Sequence, residues 1–486
     1  MSRAAGIVRA AAVAVVAAGV AVGATRVSGS LQLAAPGERA GLPETSSVLV
    51  DDATLVCPGQ QRLGGVGLRD VQADVTVAAA APDPGVVAGA PSGGGLSLLS
   101  GRDASGLAQG DAAGSLVSAA AKTADAVFAR GVRGLAPGLV ATQVWKHTGD
   151  DDRGLAVTPC QLPSSDVWLV GGGAGASRTE RVVVTNPGAN AVTVTTEVLG
   201  RQGRVPGTGD RSLSVAPRSR VVVSLDAVAP DEAGPVVHVS ATGGVVSAVL
   251  DEQWIDGATA RGIDDATRAA TPGTDLVVPG IDAAGPVWAR LANPGGTEAL
   301  AQLRLLTDAG PVQPDELRAV RVPAGSTVDV AIPRTTGAYG LGVRSDHALV
   351  AAAWTERRGT TADKMGDFAW TPAAPRLSGV GGVLLPGLAG TTKRLLLTSG
   401  EAASRVQVRI GTGPSARTST VDVPAGSTVA TDLGDADSVW VVPTSGDVRG
   451  AVSVVGNDGG VPTFSIAAVV PAPVRALSVP VRQVRN

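Results

Sequence analysis

A spacing of roughly 100 residues governs this chain and limits what it can fold into. Asn186-Pro187-Gly188 returns as Asn293-Pro294-Gly295, and Pro279-Gly280 as Pro386-Gly387, each 107 positions on; Val-Pro-Ala-Gly-Ser-Thr at 322–327 returns at 423–428, 101 positions on. That period is the length of a small domain and is long for one propeller blade. The repeated pieces are turn formers set between strands of period two: Val192, Val194, Thr196 and Val198 alternate with Thr and Glu, the pattern of a strand with one face buried. Six or seven such strands per repeat predict an all-β chain of tandem immunoglobulin-like or related β-sandwich modules.

The modules are expected at 48–162, 166–272, 275–373 and 381–471. In the fourth, Thr398-Ser399-Gly400 stands where Asn-Pro-Gly is expected, so this copy is divergent. The first carries an Ala/Gly/Pro/Ser-rich stretch, 78–112, that reads as long loops, and 113–128 has the length of a helix. Before each new opening strand stands a seam with the same punctuation. Arg153-Gly154 leads to Thr158-Pro159, Arg261-Gly262 to Thr271-Pro272, and Met365-Gly366 to Thr371-Pro372. Short proline-bearing seams favour a semi-rigid rod over a closed ring of sheets.

Ahead of the repeats, residues 1–27 read as a signal peptide or a membrane anchor. Fifteen consecutive residues of Ala, Val and Gly follow Arg3 and Arg9 and precede Arg26. The eighteen residues 7–24 would make a helix of roughly 27 Å, the short end of what crosses a bilayer. Val22-Gly23-Ala24 offers a cleavage site, so anchor and cleaved signal both stand; either way the positive flank directs the remainder outward. The location is therefore the cell membrane with extracytoplasmic domains, or secretion.

Export frees the two cysteines, Cys57 and Cys160, to form a disulfide closing one whole repeat. A metal site is disfavoured, because His147, His238 and His347 show no ligand spacing. Lys+Arg 40 against Asp+Glu 43 gives a net charge of −3 without a basic run, which removes support for nucleic-acid binding.

No constellation points to catalysis, and no cofactor is expected. Gly171, Gly173 and Ala176 satisfy a dinucleotide fingerprint, but the strand-like Val182–Asn186 follows where a helix is required. The acid pairs Asp51-Asp52, Asp151-Asp152, Asp251-Glu252 and Asp264-Asp265 have the composition of a glycosidase dyad, yet neighbouring strand residues point to opposite faces. Among the tryptophans, Trp145 and Trp254 lie beside polar strand ends, where a ring could be partly exposed and contact a ligand; core or seam packing is the favoured reading.

The order of these features resembles an uncharacterised family of actinobacterial exported or membrane-anchored proteins of unknown function. The likeness rests on the Arg-flanked apolar segment, Leu55-Val56-Cys57-Pro58, 153–160, Trp168–Gly173 and the Asn-Pro-Gly turns. It implies an envelope location and brings no catalytic residues. The expected function is a non-enzymatic cell-envelope protein with a scaffolding or protein-contact role. The alternative is a glycan or cell-wall binding module using an exposed Trp; a hydrolase or transferase ranks third. Partners would be a wall glycan or an envelope protein, and the membrane through residues 7–24 if they are retained.

Overall fold

The structure is a computed structural model that describes residues 46–149, 151–173, 178–360 and 365–478. The apolar segment 7–24 lies outside them. Among the described residues no helix is long and apolar enough to cross a membrane. Contacts divide the chain into a body, Leu49–Arg475, and a second unit of Met1–Val48 with Ala476–Asn486. Strands Ser46–Leu49 and Arg475–Ser478 pair in a two-stranded sheet.

Within the body, four antiparallel sheets share one plan. Each has four strands, and the last in sequence stands at one edge. These last strands are Gly154–Pro159, Thr259–Ala266, Gly366–Pro372 and Val461–Ala468. Each sheet packs on a second antiparallel sheet of its own repeat, sandwich fashion. In the third repeat a single strand, Thr336–Arg358, serves both layers: Tyr339–Arg344 pairs in one, Val350–Arg358 in the other.

The rod expected from the seams does not form. The four last strands pack against one another in a cycle, first on second, second on third, third on fourth and fourth on first, and so become the inner strands of a closed ring. Two-sided burial is the reason. Leu395, Leu396 and Leu397 are all buried, as are Val182–Val184 and Ala351–Ala353, so these sheets are apolar on both faces and need cover on both. One face meets the partner sheet; the other meets the neighbouring repeat. The second repeat's core accordingly runs into Val350, Trp354, Phe368 and Trp370 of the third. Ala369 of the third packs with Ala451 and Phe464 of the fourth, Val144 and Leu155 of the first join the fourth's core, and Ile263 of the second joins the first's.

Two local readings also change. The stretch 78–112 carries strands Gly94–Ser100 and Ser105–Gly110, and 113–128, long enough for a helix, instead holds strand Val117–Ala120. Low intrinsic strand preference is overridden there by pairing with neighbouring strands.

The Asn-Pro-Gly repeat has a structural cause. Asn186 accepts from the Gly188 N–H and donates its amide to the carbonyls of Asn190 and Val215. Asn293 does the same with Gly295, Thr297 and Val322. Both side chains are fully buried, so each is an internal staple between a turn and a strand 29 residues on. In the fourth repeat Ser399 reaches the matching carbonyl, Val423, with its hydroxyl.

At the ring's centre each inner strand turns its unpaired edge toward the others, and a backbone N–H there requires an acceptor. Asp367 supplies it for all four. One carboxylate oxygen accepts from Ile263 N (3.1 Å) and Phe368 N (3.1 Å), the other from Leu155 N (2.9 Å) and Phe464 N (2.9 Å). The glycines of the seam pattern make room. A Cβ on Gly262, whose φ is +117°, would stand 2.6 Å from the Asp367 Cα. Burial drives the Asp367 carboxyl well above the ordinary range, against the pull of its four donors. Asp367→Asn keeps the volume but sets an amide donor against two of the four N–H groups. At about 1–3 kcal/mol per buried unsatisfied donor, the expected loss is about 2–6 kcal/mol, read as a lower urea midpoint; an unchanged midpoint would refute the central role.

Candidate functional site

The second and third repeats meet along a cleft of about 300 Å³. Its third-repeat wall follows from strand register. Trp288 pairs with Trp354, and Trp354 with Trp370, across three adjacent strands, so the three indoles share one sheet face. Trp354 and Trp370 are buried while Trp288 is 42% exposed. From the second repeat Trp254 approaches Trp354 with ring centroids 5.9 Å apart, and the Arg178 guanidinium lies 4.6 Å over the Trp254 ring.

Arg290 holds the walls together. Buried in the third repeat, it donates to the carbonyls of Gly171 (3.0 Å), Gly172 (2.8 Å) and Pro235 (3.2 Å) in the second. Its Nε binds Asp329 at 2.7 Å, and its guanidinium lies 4.9 Å over the Trp370 ring. Burial alone would raise the Asp329 carboxyl, but hydrogen bonds and charge from Arg290 and Arg201 outweigh it and hold the group below its usual range. The glycine loop is the opposite wall. Its N–H groups at Gly172 and Gly173 donate to Glu252 (2.8 Å) and Glu180 (2.6 Å), and Gly172 has φ +82°, which favours glycine. A strand, Arg178–Asn186, comes next in the chain, so the loop lacks the helix that a dinucleotide site requires.

Chemically the cleft offers a half-exposed indole face at Trp288 for stacking and the remaining guanidinium donors of Arg178 and Arg201, which are paired with Glu252 and Asp329. The Trp354 indole N–H is buried behind this wall and has no partner among the described residues. The cleft's acidic groups, Glu252 and Asp329, are already bound by protein donors.

The sites expected from sequence are distributed differently. Trp145 follows the core reading and is no ligand contact: it is fully buried in the first repeat's core. Its strand, Val140–His147, is interior to its sheet, and the polar Lys146 and His147 lie beyond the covered part. Trp254 is half-buried and packs beside the cleft. Cys57 and Cys160 are disulfide-bonded with Cα atoms 4.4 Å apart. Two of the acid pairs do meet, Asp251 opposite Asp265 and Glu252 opposite Asp264, all buried. Asp251 binds Arg62, Asp265 binds Thr158 and Gln61, and Asp264 accepts from Trp370 N. His238 stacks on Trp168 and binds Asp166 at 2.6 Å. Among the described residues no group of three or more His, Cys, Asp or Glu could hold a metal ion.

Trp288 and Arg290 were missed. The signal was present in Val287-Trp288-Ala289-Arg290-Leu291, where period two puts Trp and Arg on the face opposite three apolar residues.

Beneath the loop, burial pushes the Glu180 carboxyl up to about 8, helped by the neighbouring Glu252 charge and opposed by the Gly173 N–H. In the unfolded chain the same group titrates near 4.3. Between about 4.3 and 8 the folded protein therefore keeps a proton that the unfolded chain has released. Its contribution to stability is full below that window and is lost as pH rises through it, at up to about 1.4 kcal/mol per pH unit. The measurement is the difference in unfolding free energy between wild type and Glu180→Gln across this window. The expected outcome is a difference that changes with pH in this sense, and a flat difference would refute it.

Comparison with curated proteins finds no match. Residues 115–434 match a family described as a family of unknown function, DUF5719. Because the match extends over most of the chain, from the first repeat into the fourth, the protein belongs to the DUF5719 family.

Proposed function

We propose that this is a non-enzymatic contact protein of the cell envelope, exported or anchored with its body outside the membrane, which holds cell-wall glycan against the cleft between its second and third repeats. An actinobacterial envelope is the setting that the sequence resemblance suggests. Support for the location comes from the Arg-flanked apolar segment and from the disulfide between Cys57 and Cys160.

The observation that carries the glycan reading is the 42% exposure of Trp288 at the head of a tryptophan row. Sugar rings present flat C–H faces that stack on an indole, and their hydroxyls accept from guanidinium donors. Arg290 and its buried hydrogen bonds hold the walls in place, which lowers the ordering cost of binding. A scaffolding role is compatible with the same geometry, because a closed ring keeps its surfaces in fixed relation.

Tryptophan fluorescence titrated with purified wall polysaccharide and peptidoglycan fragments is expected to show a saturable change. Trp288→Ala should weaken it about tenfold, corresponding to about 1.4 kcal/mol of lost stacking, whereas Trp145→Phe should leave it unaltered. Absence of a saturable change in the wild type would sink the glycan reading. Recovery of the native protein only from the cytoplasm would sink the envelope location.

A further inference from the structure

A second cavity stands on the ring axis. The inner strands all begin near Asp367, and beyond their far ends the chain enters the seam segments at 160–164, 267–273, 372–375 and 468–471. These segments, contributed by all four repeats, surround a chamber of about 510 Å³. Its walls are mainly carbon, with Leu55, Leu139, Leu276 and Val469 among them. Two of the prolines that marked the seams in the sequence, Pro272 and Pro372, help to line it, together with Pro471 after the fourth repeat. At about 30 Å³ per water-sized group, the chamber holds roughly 17 such groups, the scale of a single alkyl chain. Water gains little from apolar walls, so an apolar occupant is favoured.

One lining cation is not fully engaged. Arg268 is half-buried, and its side chain makes a single hydrogen bond among the described residues, a long one of 3.3 Å from Nη1 to the Leu162 carbonyl. It has no ion-pair partner within 4.0 Å among the described residues. The nearby Asp166 is turned to His238, bound at 2.6 Å. Arg449, the other guanidinium of the chamber, is spent on Asp447 and the Ala374 carbonyl. Burial lowers the Arg268 pKa, and the nearby Asp166 charge opposes this only in part. An anion at Arg268 would supply what is missing.

We propose that the axial chamber binds a single-chain amphiphile, with its alkyl chain among the four seams and its anionic head group on Arg268. This site is separate from the tryptophan cleft and does not depend on the glycan reading.

Calorimetric titration of the full chain with dodecanoate tests it, with dodecyltrimethylammonium as the cation of equal chain length. The expected result is saturable one-to-one binding of dodecanoate, with the cation at least about tenfold weaker. Arg268→Gln, verified as folded by circular dichroism and its melting temperature, should abolish that preference. Ala270→Trp, which adds bulk at the chamber wall, should block both ligands, and Trp288→Ala should change neither. No saturable dodecanoate binding, equal affinity for the cation, or a preference that survives in folded Arg268→Gln would each overturn the proposal. Loss of dodecanoate binding in Trp288→Ala would instead assign it to the cleft and overturn the chamber site.

Discussion

Four inner-strand edges converge on one carboxylate, and the arrangement of the repeats depends on it. A β-sheet can end only where its unpaired N–H groups find water or another acceptor, and the ring's centre excludes water. Two carboxylate oxygens provide about four lone-pair sites, and Asp367 uses them on four N–H groups from four repeats. Neighbouring edges follow the same rule with other side chains: Val157 N donates to the Ser465 hydroxyl, and Trp370 N to Asp264. Side chains thus replace the fifth strand that no repeat has room to add.

The seams outward from the axis are fixed by arginine. Arg220 of the second repeat donates to four carbonyls of the first, at Pro58, Gln60, Leu63 and Ala124. Arg290 of the third does so to the second. Arg394 of the fourth meets Asp282 of the third, and Arg409 of the fourth closes on Asp83 of the first. Buried pairs of this kind contribute little net stability, because desolvating the charges offsets their attraction. Their value is directional. A planar guanidinium that must satisfy several carbonyls admits one relative placement of two sheets, while the apolar area beneath supplies most of the attraction.

What could be read from the sequence was whatever short-range chemistry dictates. The Asn186 and Asn293 staples bind carbonyls within 29 residues, so their signature is local and repeats with the fold. The cysteine pair was legible because only one pairing exists. Ring closure was not, because it depends on what covers the second face of a sheet. Ala351-Ala352-Ala353-Trp354 and Leu395-Leu396-Leu397 carry that information as continuous apolar runs, in contrast to the alternation at Val192–Val198. The glycines of Arg153-Gly154 and Arg261-Gly262 were seen as seam markers, whereas their physical role is to let backbones approach Asp367. The cleft was half legible. Trp254 was singled out for its polar neighbours and does lie beside it, whereas Trp145, with similar neighbours, belongs to the core because its strand is covered on both faces.

Under the proposed glycan reading, stability and recognition would draw on the same residues at the cleft. Arg290 is committed to holding two repeats together, and the aromatic rings it orders belong to a fused core that extends inward to Phe368, the residue next to Asp367. A wall of that kind cannot adapt to a ligand by rearranging, since any shift of Trp354 or Trp370 disturbs the inner strands. Trp288 differs: it lies in the same row but outside the packed core. Rigidity is therefore supplied from beneath and adaptability is confined to the rim; for the proposed wall glycan this would mean recognition by shape, with the supporting tryptophans held still by the closure of the ring.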